Sequence, residues 1–266
     1  MLRKFYKNFL KKVFLSIGLH TVIKKIEYHA NNLPKFIKYK LSGSSYTLSI
    51  SKASADFMVD FFEEFKRLHY KTDSKVELKY LLKNAQEEDI FWDIGANIGT
   101  HSLLMASVLS SGYVYSFEPH PSNYSKLQEN IEKNRFENIK VMKNALGNED
   151  KKLYLTNSNT VPGYGEHQVT SSQSDNKIPI KVRKADDISE CDNPTIVKID
   201  VEGAEMDVLR GMEKILKNNV RYIICEVHRS EGSEVTEATN LLSEYGFDIN
   251  IILDNGHNVQ IEGIKY

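Results

Sequence analysis

From residue 89 onward the chain alternates short apolar runs with amphipathic stretches. An apolar run over 90–94 is followed by a glycine turn over 95–99, a helical pattern over 100–109 and a second apolar run over 113–117. Apolar runs of this length bounded by turn residues read as buried strands, and apolar positions at i, i+3 and i+4 read as helix, so residues 89–119 predict one βαβ unit. The pattern then repeats. A helix entered through Pro121 and Ser122 precedes a strand over 139–143, and a strand over 195–199 leads through a turn at 200–203 into a helix over 204–216. A strand over 221–226 and a helix over 234–245, stopped by Gly246, follow. Residues 247–253 and 259–264 flank Asn255 and Gly256 and read as a terminal hairpin. Residues 151–156 and 178–182 read as two antiparallel strands joined by a polar loop over 157–177, long enough to be a substrate lid. Strands and helices in alternation, ending in an antiparallel pair, predict an α/β fold with a mixed, mostly parallel sheet.

The first 84 residues break this rhythm and are read as a basic, mainly helical extension before a domain over 85–266. A weak alternation predicts a hairpin from 37–41 and 46–50. Phe57, Phe61, Phe65 and Leu68 predict one face of a helix over 53–69, and a short helix is expected over 76–85. Residues 1–40 carry ten Lys and Arg against the single acid Glu27, with Phe5, Phe9, Val13, Phe14 and Ile17 at roughly helical spacing. Two readings stay open for this segment, a membrane-surface helix and a helical cap or homodimer arm with its lysines in water. Its longest apolar run, 13–19, is too short to span a bilayer.

Composition narrows the picture. A chain of 266 residues, 41% hydrophobic and 27% charged, has room for one good core plus an appendage. A net charge of -1 gives no general attraction to nucleic acid, and no recognisable nucleic-acid module stands in the sequence. The two cysteines, Cys191 and Cys225, have no metal-ligand spacing, and a reducing cytoplasm is the simplest setting.

The candidate chemistry centres on the first βαβ unit. Gly95 and Gly99 let the backbone turn sharply and approach a ligand, and Glu118, at the end of the second strand, is placed to take two ribose hydroxyls. Asp93 just before the turn would oppose a pyrophosphate and suit a cation, and Asn97 stands where a dinucleotide fingerprint has its second glycine. These features favour S-adenosylmethionine, with its ammonium and sulfonium, over a nicotinamide or flavin dinucleotide. Asn144 and Ala145 follow the third strand at the same sheet edge, where an adenine would lie. Asp200 ends the fourth strand and is the first candidate for a base, with Glu202 on the same turn and Glu226 and His228 closing the next strand. The competing reading makes Asp200 a helix cap and leaves Glu202, Glu205 and Asp207 in water. No metal is assigned, although Asp200, Glu202, Glu226 and His228 are types that hold a divalent ion. His101 and His120 are expected to shape the adenosine pocket or meet solvent, and His167 in the loop is a weaker candidate base.

DIGANIG (93–99), FEPHP (117–121), NALGN (144–148), ADDI (185–188), VKIDVEGAE (197–205) and CEVH (225–228) occur in that order. On these motifs the region from Asp89 onward resembles the FkbM-type S-adenosylmethionine-dependent methyltransferases, of the class I Rossmann-like group. The resemblance implies a seven-stranded class I sheet and methyl transfer, usually to oxygen, with hydroxyls of carbohydrates, glycans and natural products among the acceptors. It places Asp93, Gly95, Asn97 and Gly99 at the methionine side of the donor, Glu118 at the ribose, and Asn144 and Ala145 at the adenine edge. The alternatives are methylation of RNA or protein, and a non-catalytic membrane-peripheral binding protein of the same fold.

Overall fold

The computed structural model describes residues 44–70, 72–156, 162, 169–170, 177–229 and 233–266. The readings of the basic segment 1–40, of His167 and of most of the loop over 157–177 fall outside the described residues.

Residues Ser44–Tyr266 form one compact unit. It opens with an antiparallel hairpin of β1 (Ser45–Ile50) and β2 (Ala53–Met58). The strand expected over 46–50 is present, its expected partner over 37–41 lies outside the described residues, and the helix expected from residue 53 begins as a strand. Leu48, Ile50, Ala53, Ala55 and Phe57 are buried in alternation, the period of a strand with one covered face. Ser51 takes the left-handed turn between them at φ 54°. Helix α1 (Phe62–Tyr70) starts later, where Glu64 accepts the N–H groups of Asp60 and Phe61 at 2.7 and 2.9 Å. Phe65 and Leu68 keep the buried face expected of them, whereas Phe61 is exposed.

After α2 (Thr72–Asn84) come β3 (Ile90–Ile94), α3 (Thr100–Ala106), β4 (Tyr113–Phe117), α4 (Pro121–Asn134) and β5 (Ile139–Met142). A four-stranded sheet of order β6-β9-β7-β8 follows, from β6 (Ala145–Gly147), β7 (Lys151–Thr156), β8 (Val169–Thr170) and β9 (Lys177–Lys184). The antiparallel pairing of β7 with β9 is the one the sequence predicts. The chain then returns through β10 (Ile196–Ile199), α5 (Glu205–Gly211), α6 (Glu213–Asn218), β11 (Tyr222–His228), α7 (Glu234–Glu244), β12 (Asp248–Asp254) and β13 (Asn258–Ile264).

The main sheet has the order β12-β13-β11-β10-β3-β4-β5. Pairs from β11 across to β5 are parallel, and β13 runs antiparallel between β11 and β12. This is the seven-stranded, Rossmann-like mixed sheet expected from the sequence. Its central strands are covered on both faces: Trp92, Ile94, Phe117, Val197, Ile199, Ile223 and Cys225 are buried on one and Phe91, Val114, Ile196 and Ile224 on the other, a fully buried large apolar side chain being worth roughly 1.5–3 kcal/mol. The single helix expected over 204–216 is two helices, broken at Met212. The first ends at Gly211, where a Cβ would lie 1.8 Å from the carbonyl oxygen of Gly147, so α5 and β6 touch backbone to backbone.

Strand order reverses between β3 and β10: β4 and β5 build outward one way, β10 and β11 the other. In an open parallel sheet the crevice beyond the strand ends at this point is where ligands bind. Among the described residues no helix is long and apolar enough to cross a membrane.

Candidate active site

The turn after β3 is held from both sides. Gly95 and Ala96 donate their N–H groups to the carbonyl of Phe117 at 3.0 and 3.1 Å. Gly95 has φ 81°, and a Cβ on it would fall 1.9 Å from the carbonyl oxygen of Asp200, so only glycine fits between the two neighbouring strand ends. Asn97 takes φ 52° and donates its N–H to Oε2 of Glu118 at 2.8 Å. The N–H of His120 reaches the other oxygen of Glu118, also at 2.8 Å. Glu118 is therefore fixed by two backbone donors while each oxygen keeps a lone pair for a ligand. Burial pushes its carboxyl up to about 7, against the lowering effect of those two N–H bonds.

Beneath the turn lies a buried ionic knot. Lys198, inside the central strand β10, donates from Nζ to the carbonyl oxygen of Gly95 at 3.0 Å, with Oδ1 of Asp93 at 3.2 Å and Oδ2 of Asp200 at 3.8 Å. Oδ2 of Asp93 accepts the hydroxyl of Ser102 at 2.5 Å, and Ser116 donates in turn to Ser102 at 2.8 Å. Burial alone would pull the Lys198 ammonium down, but the carboxylates of Asp93 and Asp200 outweigh it and raise its pKa. Asp93, expected at the methionine side of the donor, thus has Lys198 and Ser102 as its partners and does not line the crevice. The strand pleat turns Ile94 to the crevice and Asp93 to the opposite face under α3, where Lys198 already neutralises it.

Above the turn lies a crevice partly open to solvent. Gly95, Asn97, Glu118, Ala145 and Asp200 all line it, so five of the residues singled out from the sequence meet there. Asn144 and Gly99 do not. Asn144 is buried and donates to the carbonyl of its neighbour Ala145 at 3.0 Å, and Gly99, at φ 92°, packs against Leu103 and Leu127. The small sheet closes the opposite wall with Leu146, Leu153, Leu155 and Val182. Two cations reach the rim, Arg67 of α1 and Lys151 of β7. Arg67 is half-buried, and among the described residues no carboxylate forms an ion pair with it.

Beside the crevice, ligand atoms of Asp200, Glu226 and His228 lie within 4.8 Å of one another, and of these three Asp200 lines it. Nδ1 of His228 is 2.7 Å from Oε1 of Glu205, and Nε2 is 3.2 Å from Oε2 of Glu202 and 3.8 Å from Oε1 of Glu226. Glu226 is buried and accepts the side-chain amides of Asn258 and Gln260. Burial would lower the His228 pKa, but the hydrogen bond and charge of Glu205, with Glu202 and Asp200, carry it to about 9. Asp200 is 7% exposed, with its Oδ2 3.8 Å from Nζ of Lys198. Glu205, expected in solvent, is 3% exposed and braces both His228 and the N–H of Gly203. Asp207 does keep partial exposure, beside Asn148 and Lys151. His120 lines the crevice, whereas His101 is buried away from it against Glu77 at 3.0 Å.

A backbone cradle closed to any Cβ, a carboxylate with a free lone pair on each oxygen and an apolar wall fit an adenosine-bearing ligand. Comparison with known proteins points the same way. Residues 93–249 match the methyltransferase FkbM domain family. The chain is 30% identical over 229 residues to the hexuronic acid methyltransferase AglP of Haloferax volcanii, covering 84% of this chain and 90% of that protein. It is 29% identical over 184 residues to methyltransferase 1 of Beauveria bassiana, covering 61% and 74%. Among solved structures it resembles a methyltransferase FkbM of Methylobacillus flagellatus with a TM-score of 0.51 at 17% identity, covering 89% of this chain and 60% of that one, a likeness of fold.

Proposed function

The chain belongs to the FkbM family of S-adenosylmethionine-dependent methyltransferases, and on that premise we propose that it methylates a hydroxyl of a sugar acid or a related sugar. The observation that carries this reading is the facing of Glu118 and Asp200 across one crevice at the reversal of strand order. When bound, S-adenosylmethionine supplies an electrophilic methyl group on a sulfonium. The rest of the work belongs to the chain. Glu118 accepts the ribose hydroxyls, the Gly95–Asn97 backbone lies against the methionine side, and Ala145 and Leu146 cover the base. Asp200 stands where an acceptor hydroxyl enters, positions it and accepts its proton, and the apolar wall of the small sheet keeps water out.

The acceptor class rests on two supports. The hexuronic acid methyltransferase aligns over most of both chains, and Arg67 offers a cation at the rim to a sugar carboxylate. The test is transfer of labelled methyl from the donor to uronic acids and to their uncharged parent sugars. Preference for the acids is expected, and Arg67→Gln should raise KM for them about tenfold, the effect of one charge-assisted hydrogen bond. Equal use of charged and neutral sugars, unaltered by Arg67→Gln, would remove the acidic acceptor from the proposal.

A further inference from the structure

We propose that Asp200, Glu226 and His228 form a binding site for a divalent metal ion, of the Mn²⁺ or Zn²⁺ type, at the acceptor end of the crevice. That the ion would meet acceptor oxygens rests on the hydroxyl-transfer reading above; the site itself rests on its geometry.

The first support is placement. Asp200 closes β10, while Glu226 and His228 stand two apart on the adjacent β11, and residues two apart on a strand share one face. Their ligand atoms already lie within 4.8 Å of one another. A divalent ion holds oxygen and nitrogen at about 2.0–2.2 Å, which brings ligand atoms to roughly 3–4 Å apart, so small side-chain rotations complete the set. One imidazole with two carboxylates suits Mn²⁺ or Zn²⁺ better than the all-oxygen shells of Mg²⁺ and Ca²⁺.

The second support is the direction of the imidazole. Glu205 is buried, is itself fixed by the N–H of Gly203, and takes the Nδ1 side of His228 at 2.7 Å. With hydrogen on Nδ1, the Nε2 lone pair would point at the carboxylates of Glu202 and Glu226. Two like-charged neighbours around a lone pair are repulsive, so Nε2 must carry an electrophile, either a proton or a metal ion. A carboxylate behind the distal nitrogen is the arrangement that orients metal-ligating histidines.

A third, independent pointer comes from β13. Gln260 lies directly across from Glu226 in the β11–β13 register, is 1% exposed and turns its amide to that carboxylate. Its Oε1 has no hydrogen-bond partner among the described residues. A buried neutral oxygen without a partner, on an amide that already touches the set, is the kind of group a cation satisfies.

The experiment uses the full chain, stripped of metal with a chelator and titrated with Mn²⁺ under electron paramagnetic resonance and calorimetry, with Zn²⁺ and Mg²⁺ in parallel. One tightly held Mn²⁺ or Zn²⁺ per chain is expected. Glu226→Gln and His228→Gln should each weaken it at least 100-fold and Glu205→Gln by 10- to 100-fold, with the exposed Glu190→Gln as an unaffected control. The wild-type titration decides even if a variant fails to fold. Binding of no Mn²⁺ or Zn²⁺ at millimolar concentration leaves Nε2 with a proton only and overturns the site. So does methyl transfer at full rate in excess chelator. Donor binding is measured separately in the same samples, so a chain that holds the ion but methylates no sugar would count against the acceptor reading and not against the site.

Discussion

Nζ of Lys198 donates to the carbonyl oxygen of Gly95 at 3.0 Å, so a lysine buried in one central strand holds the donor turn that follows its neighbour. The same ammonium neutralises Asp93. Replacing Lys198 by Met leaves that carboxylate buried and unpaired, at a cost of about 3–5 kcal/mol. Urea unfolding should show this loss, and adding Asp93→Asn to the same chain should recover part of it. Donor affinity, read by calorimetry, is expected to fall in both. A Lys198→Met midpoint equal to wild type would end the assignment.

Glu118 makes donor binding pH-dependent. Its ionised carboxylate can accept two ribose hydroxyls beyond the two N–H bonds it already takes, and protonation removes one acceptor and the negative charge. Because its folded pKa is about 7, affinity for S-adenosylmethionine should decline as pH falls from 8 through 6, and Glu118→Gln should flatten the profile. Stability runs the other way. A carboxyl whose folded pKa lies above its ordinary 4.5 favours the folded state at low pH and loses that contribution as pH rises through 7. Thermal melts of the donor-free chain across that window check the sign.

Two glycines with similar backbone angles should behave differently. Gly95 and Gly203 have φ 81° and 95°, but a Cβ on Gly95 would overlap the Asp200 carbonyl whereas nothing lies within 4 Å of one on Gly203. Gly203→Ala is expected to cost only the backbone strain, about 1–3 kcal/mol, with donor affinity retained. Gly95→Ala must push the two strand ends apart and should abolish donor binding. Equal donor affinities for the two variants would show that the close approach does not matter.

Asp200→Asn separates binding from chemistry. The amide keeps the shape of the side chain but is a poor proton acceptor, so kcat should fall by about 100- to 10,000-fold while donor affinity changes far less. Single-turnover measurements with saturating donor make the comparison. Survival of turnover would move the proton acceptor elsewhere.

Much of this arrangement was legible in the chain because it follows from strand ends. The glycine turn, Glu118 and Asp200 each close a buried apolar run, and the topology of an α/β sheet delivers such residues to one edge. Side-chain direction was less accessible. Asp93 sits one position before Ile94, and a single step of the pleat sends it away from the crevice. Glu205 looked like an exposed helical residue because nothing local signals that His228, arriving 23 residues later, will cover it. Lys198 did leave a trace: a lysine amid Ile and Val in a central parallel strand is tolerated only when paired. Strand β2 was hidden because Phe57 stands at helical spacing from Phe61, Phe65 and Leu68, so one residue of the strand was drawn into the face of the helix that follows it.

Thr156 and Lys177 are cross-strand partners, so the chain leaves β7 and re-enters β9 at a single point. The entropy of closing a flexible excursion grows only slowly, by about 0.6 kcal/mol for each doubling of its length. Changes of length between those two residues that leave the β7–β8 pairing in place are thus thermodynamically cheap, while the turn after β3, set in the other sheet, tolerates almost none.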